Sequence, residues 1–264
     1  MSNAQTLRFV QFTDVHLSQM PSFEWKYWNV KRVLGFLNWH RGRKSVHSID
    51  VVGKLLDDMA AQPLVPDHIL VTGDLINIGL PEEYRRAQNW LESVGSGTDV
   101  TVIPGNHDIY VAMNTMDSIG HWRNYMTSSE GLENLSATGS ATHDDSVSDI
   151  IFPFVRRCGP VAFVGCNSAE PTPPFIAAGQ LGDSQRLALL QILKDLGEKG
   201  LVRVVLIHHP PLPGLTPARR GLKDAGALQE VLKEAGAELV LFGHNHRSQV
   251  IEVLGPNSVA NIPI

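Results

Sequence analysis

Five times along this chain an apolar run stops abruptly at a group of Asp, Asn and His side chains. The runs are residues 7–12, 68–72, 100–103, 201–207 and 238–242. They lead into Asp14-x-His16, Gly73-Asp74, Gly105-Asn106-His107-Asp108, His208-His209 and Gly243-His244-x-His246. Short apolar runs with such breaks read as buried strands, and helices are predicted between them over residues 48–61, 81–93, 180–198 and 225–235. Strands alternating with helices indicate an α/β layered architecture. Ligands of open α/β sheets bind at the carboxyl ends of the strands. Five such ends on one sheet would bring the polar side chains to a single edge.

The donor types narrow the chemistry. Two Asp, one Asn and several His form a mixed oxygen and nitrogen set, which suits Mn, Fe, Zn or Co better than Ca²⁺ or Mg²⁺. The number of plausible ligands exceeds what one ion needs. It fits a pair roughly 3.5–4 Å apart, with a carboxylate bridging them and a bridging water that becomes hydroxide near neutral pH. Gly73, Gly105 and Gly243 allow tight turns before the polar groups. His40, His47, His68, His121 and His143 lie outside the motifs and read as packing or surface residues. His209 has two readings, as an alternative ligand to His208 or as a contact for phosphate.

In this order the motifs resemble those of the calcineurin-like metallophosphoesterases, over residues 14–246. The resemblance implies a four-layer α/β/β/α sandwich with a dinuclear metal site at the strand ends. Asp14, His16 and His246 would hold one ion, Asn106, His208 and His244 the other, and Asp74 would bridge. His107 would protonate the leaving oxygen, oriented by Asp108. Within the family the chain is most similar to bacterial class III cyclic-nucleotide phosphodiesterases and their glycerophosphodiesterase relatives. The Ser/Thr protein phosphatases carry an Arg soon after the bridging Asp, and residues 73–79 contain none. The implied activity is hydrolysis of small phosphodiesters. The rivals are hydrolysis of a lipid-linked or nucleotide-sugar phosphodiester or pyrophosphate, and hydrolysis of a phosphomonoester. A non-catalytic metal-binding scaffold would be expected to have lost ligands, and all of them are present.

The 264 residues are read as one domain, 1–264, and a homodimer is compatible with it. With 22 Lys and Arg against 27 Asp and Glu, the net charge of −5 argues against binding duplex nucleic acid. Two cysteines, Cys158 and Cys166, read as buried thiols. The polar start and the lack of an apolar run near ~20 residues predict a cytoplasmic protein. Residues 22–47 differ in kind from the rest. They hold Trp25, Tyr27, Trp28, Phe36 and Trp39 with Lys26, Lys31, Arg32, Arg41, Arg43 and Lys44, against one acid, Glu24. Val30, Val33, Leu34 and Leu37 predict an amphipathic helix that packs these aromatics. Two further readings are a lid that stacks a nucleobase and a contact with an anionic membrane surface. Residues 128–148 read as a loop, 150–155 and 161–164 as a strand pair, and 247–254 as a last alternating strand.

Overall fold

A computed structural model describes residues 6–17, 20–21, 24–41, 49–136, 150–256 and 261–263 of the chain. Strands β1 (Phe9–Phe12), β2 (His68–Val71) and β3 (Val100–Val102) form a parallel sheet in that order. Phe9 stands opposite His68, and Ile69 opposite Val100. A second sheet follows the order β4 (Phe154–Cys158), β5 (Val161–Gly165), β6 (Val202–Leu206) and β7 (Leu239–Leu241). Its β4–β5 pair is antiparallel and the remaining pairs are parallel.

The two-residue period of a strand sorts the side chains of the second sheet between two cores. Phe154, Phe163, Val204 and Leu206 face the first sheet, in one cluster with Ile69, Val71, Val100 and Val102. Phe163 meets Phe9 edge-on at 5.6 Å and stacks on His68 at 5.1 Å. Val155, Val164, Val205 and Val240 point the other way, onto a cluster that includes Leu189, Ile192, Leu193, Leu228 and Leu232. The helices α1 (Val30–Arg41), α2 (Ile49–Ala61), α3 (Pro81–Val94), α4 (Glu133–Ser136), α5 (Asp183–Glu198) and α6 (Ala225–Ala235) complete the list of α elements among the described residues. Of these, α5 and α6 cover the second sheet, while α3 buries Tyr84, Ala87 and Leu91 with the first. The result is the expected α/β/β/α sandwich.

Several details correct the sequence reading. The strand expected from residue 150 begins at Phe154, because Pro153 has no N–H to give to a ladder. Of residues 247–254 only β8 (Glu252–Leu254) is paired, with β9 (Asn261–Pro263), and Val250 is exposed. Cys166 is buried but Cys158 only partly. In α1 the expected inward face is largely outside: Val30 is 72 % exposed, and Val33 and Leu37 are also exposed. Trp39 is buried, but so is Arg32, which donates to the carbonyl oxygens of Ile78 and Gly79. Those carbonyls lie in a loop with no ladder partner, so a cation is the favoured inward side chain. Residues 22–23 and 42–47 of the basic-aromatic stretch and 137–148 of the predicted loop fall outside the described residues. Among the described residues no helix is long and apolar enough to cross a membrane.

Candidate metal centre

The five motifs do meet, but not on one sheet. Asp14, Asp74 and Asn106 follow β1, β2 and β3, whereas His208 and His244 follow β6 and β7. The site therefore lies across the end of the sandwich, where two sheets face each other.

The backbone turns sharply at three of the five entries. Asp14, His16, Asp74, His244 and His246 have φ of 53°, 44°, 57°, 72° and 51°. With Phe175, they make up the non-glycine residues of positive φ among the described residues. Each left-handed L-residue costs on the order of 1–2 kcal/mol, and such strain persists where the surroundings enforce it. Here neighbouring strand ends do so. Asp14 N–H donates to Gly73 O at 3.0 Å, His16 N–H to Asp74 O at 2.9 Å and Leu17 N–H to Leu75 O at 2.8 Å. The turns bring backbones so close that a Cβ on Gly105 would stand 2.2 Å from Asp74 Oδ1. Only glycine fits there.

Asp74 Oδ2 sits at the middle of the cluster, 3.7 Å from His16 Nε2 and 3.3 Å from His208 Nε2. On one side, Asp14 Oδ1 is 3.2 Å from His246 Nε2. On the other, Asn106 Oδ1 is 3.2 Å from His208 Nε2 and 2.7 Å from His244 Nδ1. Potential ligand atoms of Asp14, His16 and His246 lie within 4.8 Å of one another, and so do those of Asp74, His208 and His244. Carbonyl oxygens accept from the far side of two rings: Ile76 O from His16 Nδ1 at 3.0 Å and Thr72 O from His208 Nδ1 at 2.8 Å. That tautomer directs each Nε2 lone pair into the cluster.

Comparison with known proteins agrees with this geometry. The sequence profile of the family described as calcineurin-like phosphoesterase matches residues 7–248. The chain belongs to the calcineurin-like phosphoesterase family. A cAMP/cGMP dual specificity phosphodiesterase of Mycobacterium tuberculosis is 26% identical over 222 residues, covering 82% of this chain and 60% of that protein. A 3',5'-cyclic-nucleotide phosphodiesterase of a Nostoc species is 26% identical over 251 residues, covering 94% of this chain and 74% of that protein. The chain thus spans well under the full length of the relatives it matches. A dimetal phosphatase from Danio rerio shares the fold, with a TM-score of 0.50 and 16% identity over 97% of this chain and 86% of that one.

The donor set fits a pair of metal ions. His244 Nε2 is buried with no hydrogen-bond partner among the described residues, an arrangement that costs roughly 1–3 kcal/mol unless something binds there. The charges are unbalanced in the same sense. Burial opposes ionisation of Asp74, yet His208 and His107 hold it well below the usual carboxylate range. Burial likewise opposes charge on His208, but Asp74 and Asp14 raise it to about 9. Asp14 and Asp74 are both held ionised in a buried place, a negative charge that metal ions would balance.

Two expected roles change. Asp108 does not orient His107. Its two oxygens accept backbone N–H groups of Asp74 (2.8 Å), Leu75 (2.9 Å), Ile76 (3.2 Å) and Gly105 (2.8 Å). His107 instead places Nδ1 on the carbonyl oxygen of Asn77. The N–H groups of the Asp74 turn have no strand partner, so a buried carboxylate is the acceptor they require. His209 does not face a phosphate either. It is fully buried, with Nδ1 on Ser168 Oγ at 2.8 Å and Nε2 on Ala177 O at 3.2 Å. Burial, with His208 and His244 beside it, holds His209 far below its ordinary pKa.

Two supporting residues were missed. Buried Glu83 accepts N–H groups of Asn77 (2.9 Å), Ile78 (3.2 Å) and Leu80 (2.9 Å), and Arg32 takes the carbonyls of the same loop. Glu83 had a legible signal, an acid in the first turn after Pro81. Arg32 had none.

Proposed function

We propose that this phosphoesterase hydrolyses small phosphodiesters with two divalent metal ions. The observation that carries the reading is Asp74 Oδ2, placed between His16 on one side and His208 on the other. Asp14, His16 and His246 would hold one ion, Asn106, His208 and His244 the second, with Asp74 shared. Two ions so held would polarise a phosphoryl group and supply a nucleophile from water near neutral pH.

The chain's own contribution to proton transfer is His107. Its main-chain N–H donates to Asp74 Oδ1 at 2.7 Å, which ties it to the metal cluster. Its ring meets His16 edge-on at 4.8 Å and stacks on Tyr110 at 5.5 Å. With Nδ1 committed to Asn77 O, Nε2 is the atom that gives a proton to the departing oxygen. Both phosphodiesterase names among the relatives support a diester substrate.

The test is hydrolysis of bis(p-nitrophenyl) phosphate against p-nitrophenyl phosphate, with Mn²⁺ and with EDTA. The expected result is a preference for the diester that disappears with EDTA and returns with Mn²⁺. Preference for the monoester would replace the reading with a phosphatase, and full activity in EDTA would remove it.

A further inference from the structure

A cleft of about 540 Å³ opens beside the metal cluster, with Asn106 and His107 in its wall. Lys31 and Arg41 come to it from α1, and Arg219 and Arg220 from the turn Ala218–Arg220. Among the described residues no Asp or Glu lines it. Among the described residues none of these four cations pairs with a carboxylate. In a chain of net charge −5, four unneutralised cations around one cleft need an explanation other than composition.

The cations stand on a built framework. Lys31 Nζ donates to Tyr110 O at 2.6 Å and Thr172 Oγ1 at 3.0 Å, and lies 4.3 Å from the centre of the Tyr110 ring. Two of its three N–H donors are thus assigned, leaving the third for a ligand. Burial lowers Lys31 to about 8, the direction expected of an ammonium group that lacks an anion. The arginine turn is bonded to the opposite loop through Ala177 N–H to Arg219 O at 2.8 Å and Gly179 N–H to Gly221 O at 3.1 Å. On that loop Phe175 holds φ of 67° while 80 % exposed. Packing does not account for a strained, exposed aromatic side chain on the rim of a cleft.

The charge of the reacting phosphate would be met at the metal cluster. The cations of the cleft therefore call for a second anion. From this, and resting on the phosphodiesterase reading, we infer that the cleft is a subsite for a second phosphate group carried by the leaving portion of the substrate. Lys31, Arg219 and Arg220 are its specificity-determining residues. The leaving side is indicated because His107, the proton donor, lines the same cleft. The substrate class is then a pyrophosphate-linked nucleotide ester rather than a diester of single charge such as a cyclic nucleotide. Hydrolysis breaks one P–O bond of the pyrophosphate. Water supplies the new P–O bond, and the departing phosphate oxygen takes the pair and a proton.

The experiment compares kcat/KM of the Mn²⁺-loaded full chain on ADP-glucose, 3',5'-cyclic AMP and bis(p-nitrophenyl) phosphate. The expected result is preference for ADP-glucose over cyclic AMP. In the double variant Arg219→Ala/Arg220→Ala, the ratio of ADP-glucose to bis(p-nitrophenyl) phosphate activity should fall about 100-fold, roughly tenfold per charge-assisted contact. Lys31→Met should lower the same ratio. A separate arm titrates ADP and adenosine into the full chain in EDTA by calorimetry, with ADP binding expected to weaken at least tenfold in the double variant. A wild type that prefers cyclic AMP, or an unchanged ratio with unchanged ADP binding, overturns the subsite. Inactivity on all three substrates overturns the phosphodiesterase reading instead, and the binding arm then decides the subsite alone.

Discussion

At the scale of single residues, the chemistry rests on which atom of each side chain is committed. His107 gives Nδ1 to the Asn77 carbonyl and stacks on Tyr110, with the Asp74 carboxylate within 4.8 Å of a ring nitrogen. As the proton donor, its importance should depend on the leaving group. The variant His107→Asn is expected to lose about 10²–10⁴-fold on a diester with an alkyl leaving group. It should lose far less on bis(p-nitrophenyl) phosphate, whose phenolate needs no proton. Both metals should remain by elemental analysis. An equal loss on both substrates would show that His107 acts in some other way. His209 shows the converse: it neighbours His208 in the chain, yet both of its nitrogens are engaged by Ser168 and Ala177. Sequence distinguishes these histidines only as neighbours of Asn106 and His208. Apart from Tyr110, the contacts named for them come from residues far along the chain.

At the scale of elements, the decisive segment is the loop from Asp74 to Leu80, between β2 and α3. Its N–H groups are collected by two buried carboxylates, Asp108 for the first half and Glu83 for the second. Burial and the nearby Asp74 carboxylate push Asp108 up to about 7, while N–H donors such as those of Gly105 and Ile76 work in the opposite direction. Replacing Asp108 by Asn turns an amide NH₂ onto N–H donors. Asp108→Asn should therefore destabilise the metal-free protein by roughly 2–4 kcal/mol, since buried donors lose an acceptor. Urea unfolding in EDTA measures it. Unchanged stability with a large loss of rate would return Asp108 to the catalytic role first expected of it. The motif Gly105-Asn106-His107-Asp108 made Asp108 visible. Its partners were not visible, because a backbone N–H has no signature in a sequence.

At the scale of the whole molecule, the candidate ligands come from both sheets, so filling the site joins the two halves of the sandwich. A ligand that binds only the folded state at 100 times its Kd adds about 2.7 kcal/mol. For a domain of this size that is a rise in Tm on the order of 5–10 °C. Differential scanning calorimetry with Mn²⁺ and with EDTA should show this rise, and Asp74→Ala, which removes the shared ligand, should abolish it. A full rise in Asp74→Ala would mean that the ions bind without that carboxylate.

Apolar runs ending at Asp, Asn and His were legible because strand burial and metal ligation both select side-chain type, and type is what a sequence records. The sorting of Phe163 and Val164, or of Val204 and Val205, between two cores was not legible, because both members of each pair are apolar. The left-handed turns at Asp14, His16, Asp74, His244 and His246 were not legible, since those residue types only tolerate the conformation that neighbouring strand ends impose. Nor was the face of α1, where loop carbonyls outweighed the apolar period and drew Arg32 inward. The cationic cleft was the least visible of all. Lys31 could be counted in its basic stretch, but only the tertiary structure sets it across a cleft from Arg219 and Arg220. Sequence alone determined which groups this protein brings to its chemistry. Folding decided which of them meet, because proximity between distant segments is a property of packed sheets and loops and not of any local pattern.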